Sequence, residues 1–100
     1  MFQSRIVDAA HRLGYDYRIA GSSEVAGKGV EEGAAFVIDL HLDAGVLGLI
    51  GMAASQGARV LAFGRHTEAA LLREAREAGA DTVVARSTLV EELGELLRAM

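Results

Sequence analysis

Ala34-Ala35-Phe36-Val37-Ile38-Asp39-Leu40 is the stretch on which the fold turns. Its apolar residues run without polar alternation, which is the signature of a strand buried on both faces, as in a parallel sheet. The run then meets an aspartate where the strand should end. Downstream, Arg59-Val60-Leu61-Ala62-Phe63 and Thr82-Val83-Val84-Ala85 repeat the apolar-strand pattern. Between and after them the periodicity changes to that of helices. Asp43 is placed to cap a helix that ends by Gly57. Thr67 opens a second, with Leu71, Leu72, Ala75 and Ala78 on its inner face and Gly79 just past its end. Thr88 and Glu91 have capping-box spacing ahead of Val90, Leu93, Leu96 and Leu97. On that last helix Val90, Leu93, Leu97 and Met100 form the stripe expected to face the core.

Upstream of the deciding stretch, Phe2, Ile6, Ala10 and Leu13 recur at helical spacing, and Gly14 is a natural stop. A short strand is expected over Asp16–Ala20. Ser22 or Ser23 can then cap a helix ending near Gly33, which Gly27 and Gly29 weaken by about 1 kcal/mol each relative to alanine. The resulting order, αβαβαβαβα, implies one α/β domain over residues 1–100, a parallel sheet flanked by helices.

Composition narrows the function classes. An apolar fraction of 51% with 24% charged residues is that of a globular chain. A net charge of −4 argues against broad nucleic-acid binding, which needs basic clusters. Arg73 and Arg76 alternate with Glu74 and Glu77, the pattern of a solvated helix face. With no cysteine, disulfides and thiolate metal sites are excluded. The N-terminus lacks the pattern of a signal peptide, and the longest apolar stretch, Ala44–Ala54, is too short to span a bilayer. Cytoplasm is the expected location.

Most other constellations have a structural explanation. The segment Ala26-Gly27-Lys28-Gly29-Val30-Glu31-Glu32-Gly33 fits neither the dinucleotide fingerprint nor the P-loop, and it sets two carboxylates where phosphate would approach. His11, His41 and His66 lie on three different elements. His41 and His66 follow adjacent strands, so a metal site from Asp39, His41, Asp43 and His66 stands against the simpler view of loop histidines. Ser22, Ser23 and Ser87 read as caps. Gly45, Gly48 and Gly51 fall three apart on one helix, which suits close packing on the sheet or a flexible element.

Two segments carry a family resemblance. Val37-Ile38-Asp39-Leu40-His41-Leu42-Asp43 is similar to the end of the third strand of response-regulator receiver domains, with Asp43 where the family has proline. Gly79-Ala80-Asp81-Thr82-Val83-Val84-Ala85-Arg86-Ser87, followed by Leu89, Glu91, Glu92 and Leu93, resembles the family's last strand and final helix. Arg12-Leu13-Gly14-Tyr15 resembles the end of its first helix. The resemblance covers essentially the whole chain and implies a flavodoxin-like (CheY-like) fold that lacks the usual first strand. It makes Asp39 the phosphoacceptor candidate and Arg86 the phosphoryl-contact candidate, in place of the family's lysine. Gly64 falls where the family has a switch threonine or serine, so that hydroxyl is lost, and Val83 falls on the switch aromatic.

In the family the first strand ends in two acidic residues that hold magnesium together with the acceptor aspartate. Neither the strand nor the pair is found here, which argues against magnesium, and no cofactor is expected. Asp39 is then either a residual acceptor or a polar strand terminus. The missing strand would be central in the family's 2-1-3-4-5 order. It could precede Met1, could come from a second copy or a partner, or could be bypassed by direct pairing of Asp16–Ala20 with Ala34–Leu40. The expected function is a non-enzymatic signalling module acting by protein contact. Its partners would be a histidine kinase or an output protein, with a homodimer or strand-exchanged oligomer, and neither nucleic acid nor membrane. The alternative is a flavodoxin-like module that binds a small molecule or nucleotide at the strands' carboxyl ends.

Overall fold

The computed structural model describes Ile6, Asp8, Arg12 and residues 35–99. Three strands, β1 (Ala35–Asp39), β2 (Arg59–Gly64) and β3 (Thr82–Ala85), form a parallel sheet in the order β1-β2-β3. Helix α1 (Val46–Ser55) joins β1 to β2, α2 (Ala69–Ala78) joins β2 to β3, and α3 (Arg86–Arg98) closes the chain. The expected strand Asp16–Ala20 and the helix from Ser22 or Ser23 lie outside the described residues. Ile6, Asp8 and Arg12 are helical, in agreement with the helix expected there.

Each strand sends alternate side chains to opposite faces, so the sheet has two separate apolar contacts. On one face Ile38, Val60, Ala62 and Val83 meet α1 through Val46, Leu49, Ile50 and Ala53, and α2 through Ala75. On the other, Leu61 and Phe63 meet Leu89 of α3, with Ile6, Val37, Val84, Leu93 and Leu96 packed around them. Central β2 is buried from Val60 through Gly64. β1 is mostly half-buried, so its unbroken apolar run overstates how deeply it lies.

The inner face expected for α2 is the face that packs, since Leu71, Leu72, Ala75 and Ala78 all join that core. Three cap assignments differ from expectation. Thr67 does not cap α2, whose N-cap is Glu68. Asp43 does not cap α1 either: its Oδ1 accepts from the Gly45 N–H at 2.8 Å in an Asx turn one step ahead of the helix, and Gly45 is the N-cap. The capping box at Thr88 and Glu91 is not formed, and Ser87 is not a cap. α3 begins at Arg86 directly from β3, with extended Ala85 as its N-cap. Its conformation breaks at Glu92, and the stripe is anchored by Leu89 (0% exposed) and Leu97, where sequence periodicity favoured Val90.

The glycines of α1 also act otherwise than expected. A side chain at Gly48 would meet nothing, while one at Gly51 would meet the Ala78 carbonyl of α2 at 3.7 Å. The close approach is therefore between the two helices and not onto the sheet.

The segment after α2 is held by two devices. Ala80 N–H donates to the Ala75 carbonyl and Gly79 N–H to that of Arg76, a Schellman ending with Gly79 left-handed at φ 119°. Asp81 then bonds the start of β2 twice: its N–H donates to the Val60 carbonyl at 2.9 Å, and its Oδ2 accepts from the Val60 N–H at 2.8 Å. Val60 is 1% exposed, so water cannot easily replace that carboxylate. Asp81→Ala is expected to cost about 1–2 kcal/mol, read as a lower urea midpoint at unchanged slope. A loss within error would show that Asp81 does not hold the strand.

Candidate functional site

Parallel strands bring their carboxyl ends to one edge, and the register decides which residues meet there. Asp39 lies opposite Phe63, and Gly64 lies opposite Ala85, the residue before Arg86. The three residues singled out in the sequence, Asp39, Gly64 and Arg86, therefore converge at the ends of three adjacent strands.

Asp39 stands at the mouth of a tight turn. The Leu40 N–H extends the ladder by donating to the Phe63 carbonyl at 2.9 Å, and the Leu42 N–H turns back to the Asp39 carbonyl at 3.0 Å. Within this turn Asp39 Oδ1 accepts from the His41 N–H at 2.9 Å. Its other oxygen, Oδ2, lies 3.5 Å from a terminal nitrogen of Arg86. The Arg86 guanidinium also sits 6.0 Å from the centre of the Phe63 ring, at the outer limit of a cation–π contact. The paired side chains are 42% (Arg86) and 37% (Asp39) exposed, so the pair contributes at most about 1 kcal/mol. Its importance is positional: one carboxylate oxygen is fixed by a backbone donor, and the other faces a permanent positive charge.

Gly64 has the second distinctive environment. A β-carbon there would lie 3.4 Å from His41 Nε2, from a methyl of Leu40 and from a methyl of Leu72. His41 Nε2 also accepts from the Arg65 N–H at 3.2 Å, which ties the turn after β1 to the turn after β2. The imidazole thus lies against the backbone where a hydroxyl side chain would project, and a longer side chain at position 64 would have to displace it.

His66 and Asp43 are exposed, and Asp43 Oδ1 accepts from the Gly45 N–H in the turn before α1. Among the described residues no three histidine or acidic side chains gather as a metal-holding group, so the cluster considered from Asp39, His41, Asp43 and His66 is not assembled. Val83 is buried in the α1–α2 core rather than at the edge. The structural role of His41 was not legible in the sequence, where it reads as a loop histidine; only its position two residues after Asp39 hinted at the turn. Phe63, beneath the guanidinium, looks in the sequence like any core aromatic.

This architecture has a counterpart of known structure. The chain superposes with a TM-score of 0.75 on the crystal structure of a response regulator protein from Burkholderia pseudomallei with a phosphorylated aspartic acid, calcium ion and citrate. The two are 28% identical, and the match covers 98% of this chain. The fold is that of a response-regulator receiver domain. The receiver-like chain spans 65% of the length of that protein. No family model matches the sequence, and no curated protein matches it at a significant level. No helix among the described residues is long and apolar enough to cross a membrane.

A receiver fold implies a divalent cation beside the acceptor aspartate, and the donors here can be tested for one. A magnesium or calcium site needs several oxygen ligands around one point. Asp39 brings one carboxylate whose Oδ1 accepts from a backbone N–H and whose Oδ2 faces a guanidinium, and among the described residues no three acidic or histidine side chains gather as a metal-holding group. These residues do not fit a divalent cation.

Proposed function

We propose that this chain is a receiver-type signalling module that works by protein–protein contact, with phosphoryl transfer to Asp39 at most a residual reaction and no catalytic turnover of its own. The observation that carries this is the state of the Asp39 carboxylate, held by the His41 N–H on one oxygen and faced by Arg86 at 3.5 Å on the other. Phosphoryl transfer to a carboxylate depends on positioning and on neutralising the incoming charge, and a single exposed guanidinium 3.5 Å from Asp39 is a poor substitute for a divalent cation in that task. Glycine at position 64 supplies no hydroxyl to follow the state of Asp39. Protein partners, among them a histidine kinase, an output protein or a second copy of the chain, are the occupants this reading calls for.

The test is incubation with a small phosphodonor and magnesium, followed by intact-mass spectrometry. No phosphoryl increment, or one unchanged in Asp39→Asn, is the expected outcome. Substantial stoichiometric labelling that Asp39→Asn abolishes would refute the reading. Absence of labelling together with a nucleotide-dependent rise in melting temperature would instead favour a nucleotide-binding module at the strand ends.

A further inference from the structure

We infer that Arg86 is the resident cation of the Asp39 crevice: its guanidinium takes the place of a divalent metal and keeps one out. This deepens the functional reading above and rests on it only for the identity of the crevice. Three observations converge. β3 passes into α3 without a loop, so Arg86 starts the helix next to the end of the sheet. Register sets the preceding residue, Ala85, beside Gly64, one strand away from Asp39. From there the side chain crosses the Phe63 ring and ends 3.5 Å from Asp39 Oδ2. That oxygen is the one left without a backbone donor, since Oδ1 accepts from the His41 N–H, so the guanidinium stands at the more open side of the carboxylate.

A doubly charged ion at the same carboxylate would lie within a few ångströms of the guanidinium. Even at the dielectric constant of water, repulsion between such charges weakens binding by about tenfold or more before salt screening. Arginine is suited to this role because it stays protonated at every accessible pH and its planar face can rest on an aromatic ring. A metal can be withdrawn by a chelator, whereas this cation is covalently part of the chain. The crevice should therefore have the same charge whatever the divalent-ion concentration.

Manganese binding, followed by water-proton relaxation without any phosphodonor, tests the inference. The wild-type chain is expected to show no saturable site at millimolar manganese and to match Asp39→Asn. Arg86→Gln is expected to raise manganese binding at Asp39 by about tenfold over the wild-type limit, still as a weak site because one carboxylate supplies it, and the gain should vanish in Arg86→Gln with Asp39→Asn. Arg86→Lys, which keeps the charge, should behave as wild type and controls for damage to the fold. Saturable wild-type binding that Asp39→Asn removes would overturn the inference, as would an Arg86→Gln protein no different from wild type. The two proposals fail separately: labelling of Asp39 without metal uptake contradicts only the functional reading, and metal uptake without labelling contradicts only this one.

Discussion

Gly79→Ala is expected to destabilise the chain by about 2–4 kcal/mol, among the largest effects available from adding a single methyl group. Two independent costs meet at this position. The backbone is left-handed, at φ 119°, in a region that residues with a β-carbon enter only with strain. A β-carbon built there would also lie 2.7 Å from the β-carbon of Ala54 on α1. Neither partner can swing aside, since both atoms are fixed to helix or turn backbone. Relief would require α1 and α2 to separate, and Ile50, Ala53 and Ala75 are packed with essentially no exposure between them and the sheet. Urea unfolding of the variant should show a lower midpoint at an unchanged slope. Ala54→Gly in the Gly79→Ala background should restore only the share due to the clash. A variant as stable as wild type would show that the turn is not built as described.

Leu89→Ala is the second, expected to cost about 2–5 kcal/mol. Leu89 is 0% exposed and is the residue by which α3 reaches Leu61 and Phe63 across the sheet. Shortening its isobutyl group to a methyl leaves a cavity on that face. The loss reaches the site as well, because Leu89 lies one helical turn from Arg86 and holds the start of α3 against β2. Glu91→Ala on the exposed side of the same helix should change stability by less than about 0.5 kcal/mol. Hydrogen exchange should place the added opening of Leu89→Ala in α3 and β2. Protection spread evenly over the molecule would argue against a separate second core.

The strands were legible because burial in a parallel sheet writes itself as an unbroken apolar run. β3 is found at the residues expected, and β2 extends by one, to Gly64. Helix α2 was legible for a related reason: Leu71, Leu72, Ala75 and Ala78 recur with its turn. Helix starts were less legible, because a cap is a local bond that tertiary context can replace. Thr88 and Glu91 have the right spacing, yet α3 is launched by β3 itself and is already helical at Arg86. The buried stripe then runs through Leu89, Leu93 and Leu97 in place of Val90, a choice between two apolar neighbours that helical spacing alone leaves open, since both Leu89 and Val90 fall within a turn of Leu93.

Of the site, the positions were legible and the contacts were not. Strand order and register bring Asp39, Gly64 and Arg86 together, and those follow from the apolar runs and the resemblance. That Arg86 points back to Asp39, and that His41 lies against Gly64, depend on side-chain directions at the sheet edge, which no spacing in the sequence encodes. Asp81 is intermediate. It was visible as part of Gly79-Ala80-Asp81, but its bond to Val60 joins residues 21 positions apart.

Asp39 is proposed not to act as a phosphoryl-operated switch. The most direct measurement is the amide spectrum of the labelled chain before and after addition of beryllofluoride with magnesium, a mimic of the phosphorylated carboxylate. The expected result is no movement of the Gly64, Arg65, Val84 and Arg86 amides beyond what Asp39→Asn shows under the same conditions. Concerted shifts at these positions, saturating with the mimic and abolished by Asp39→Asn, would contradict it.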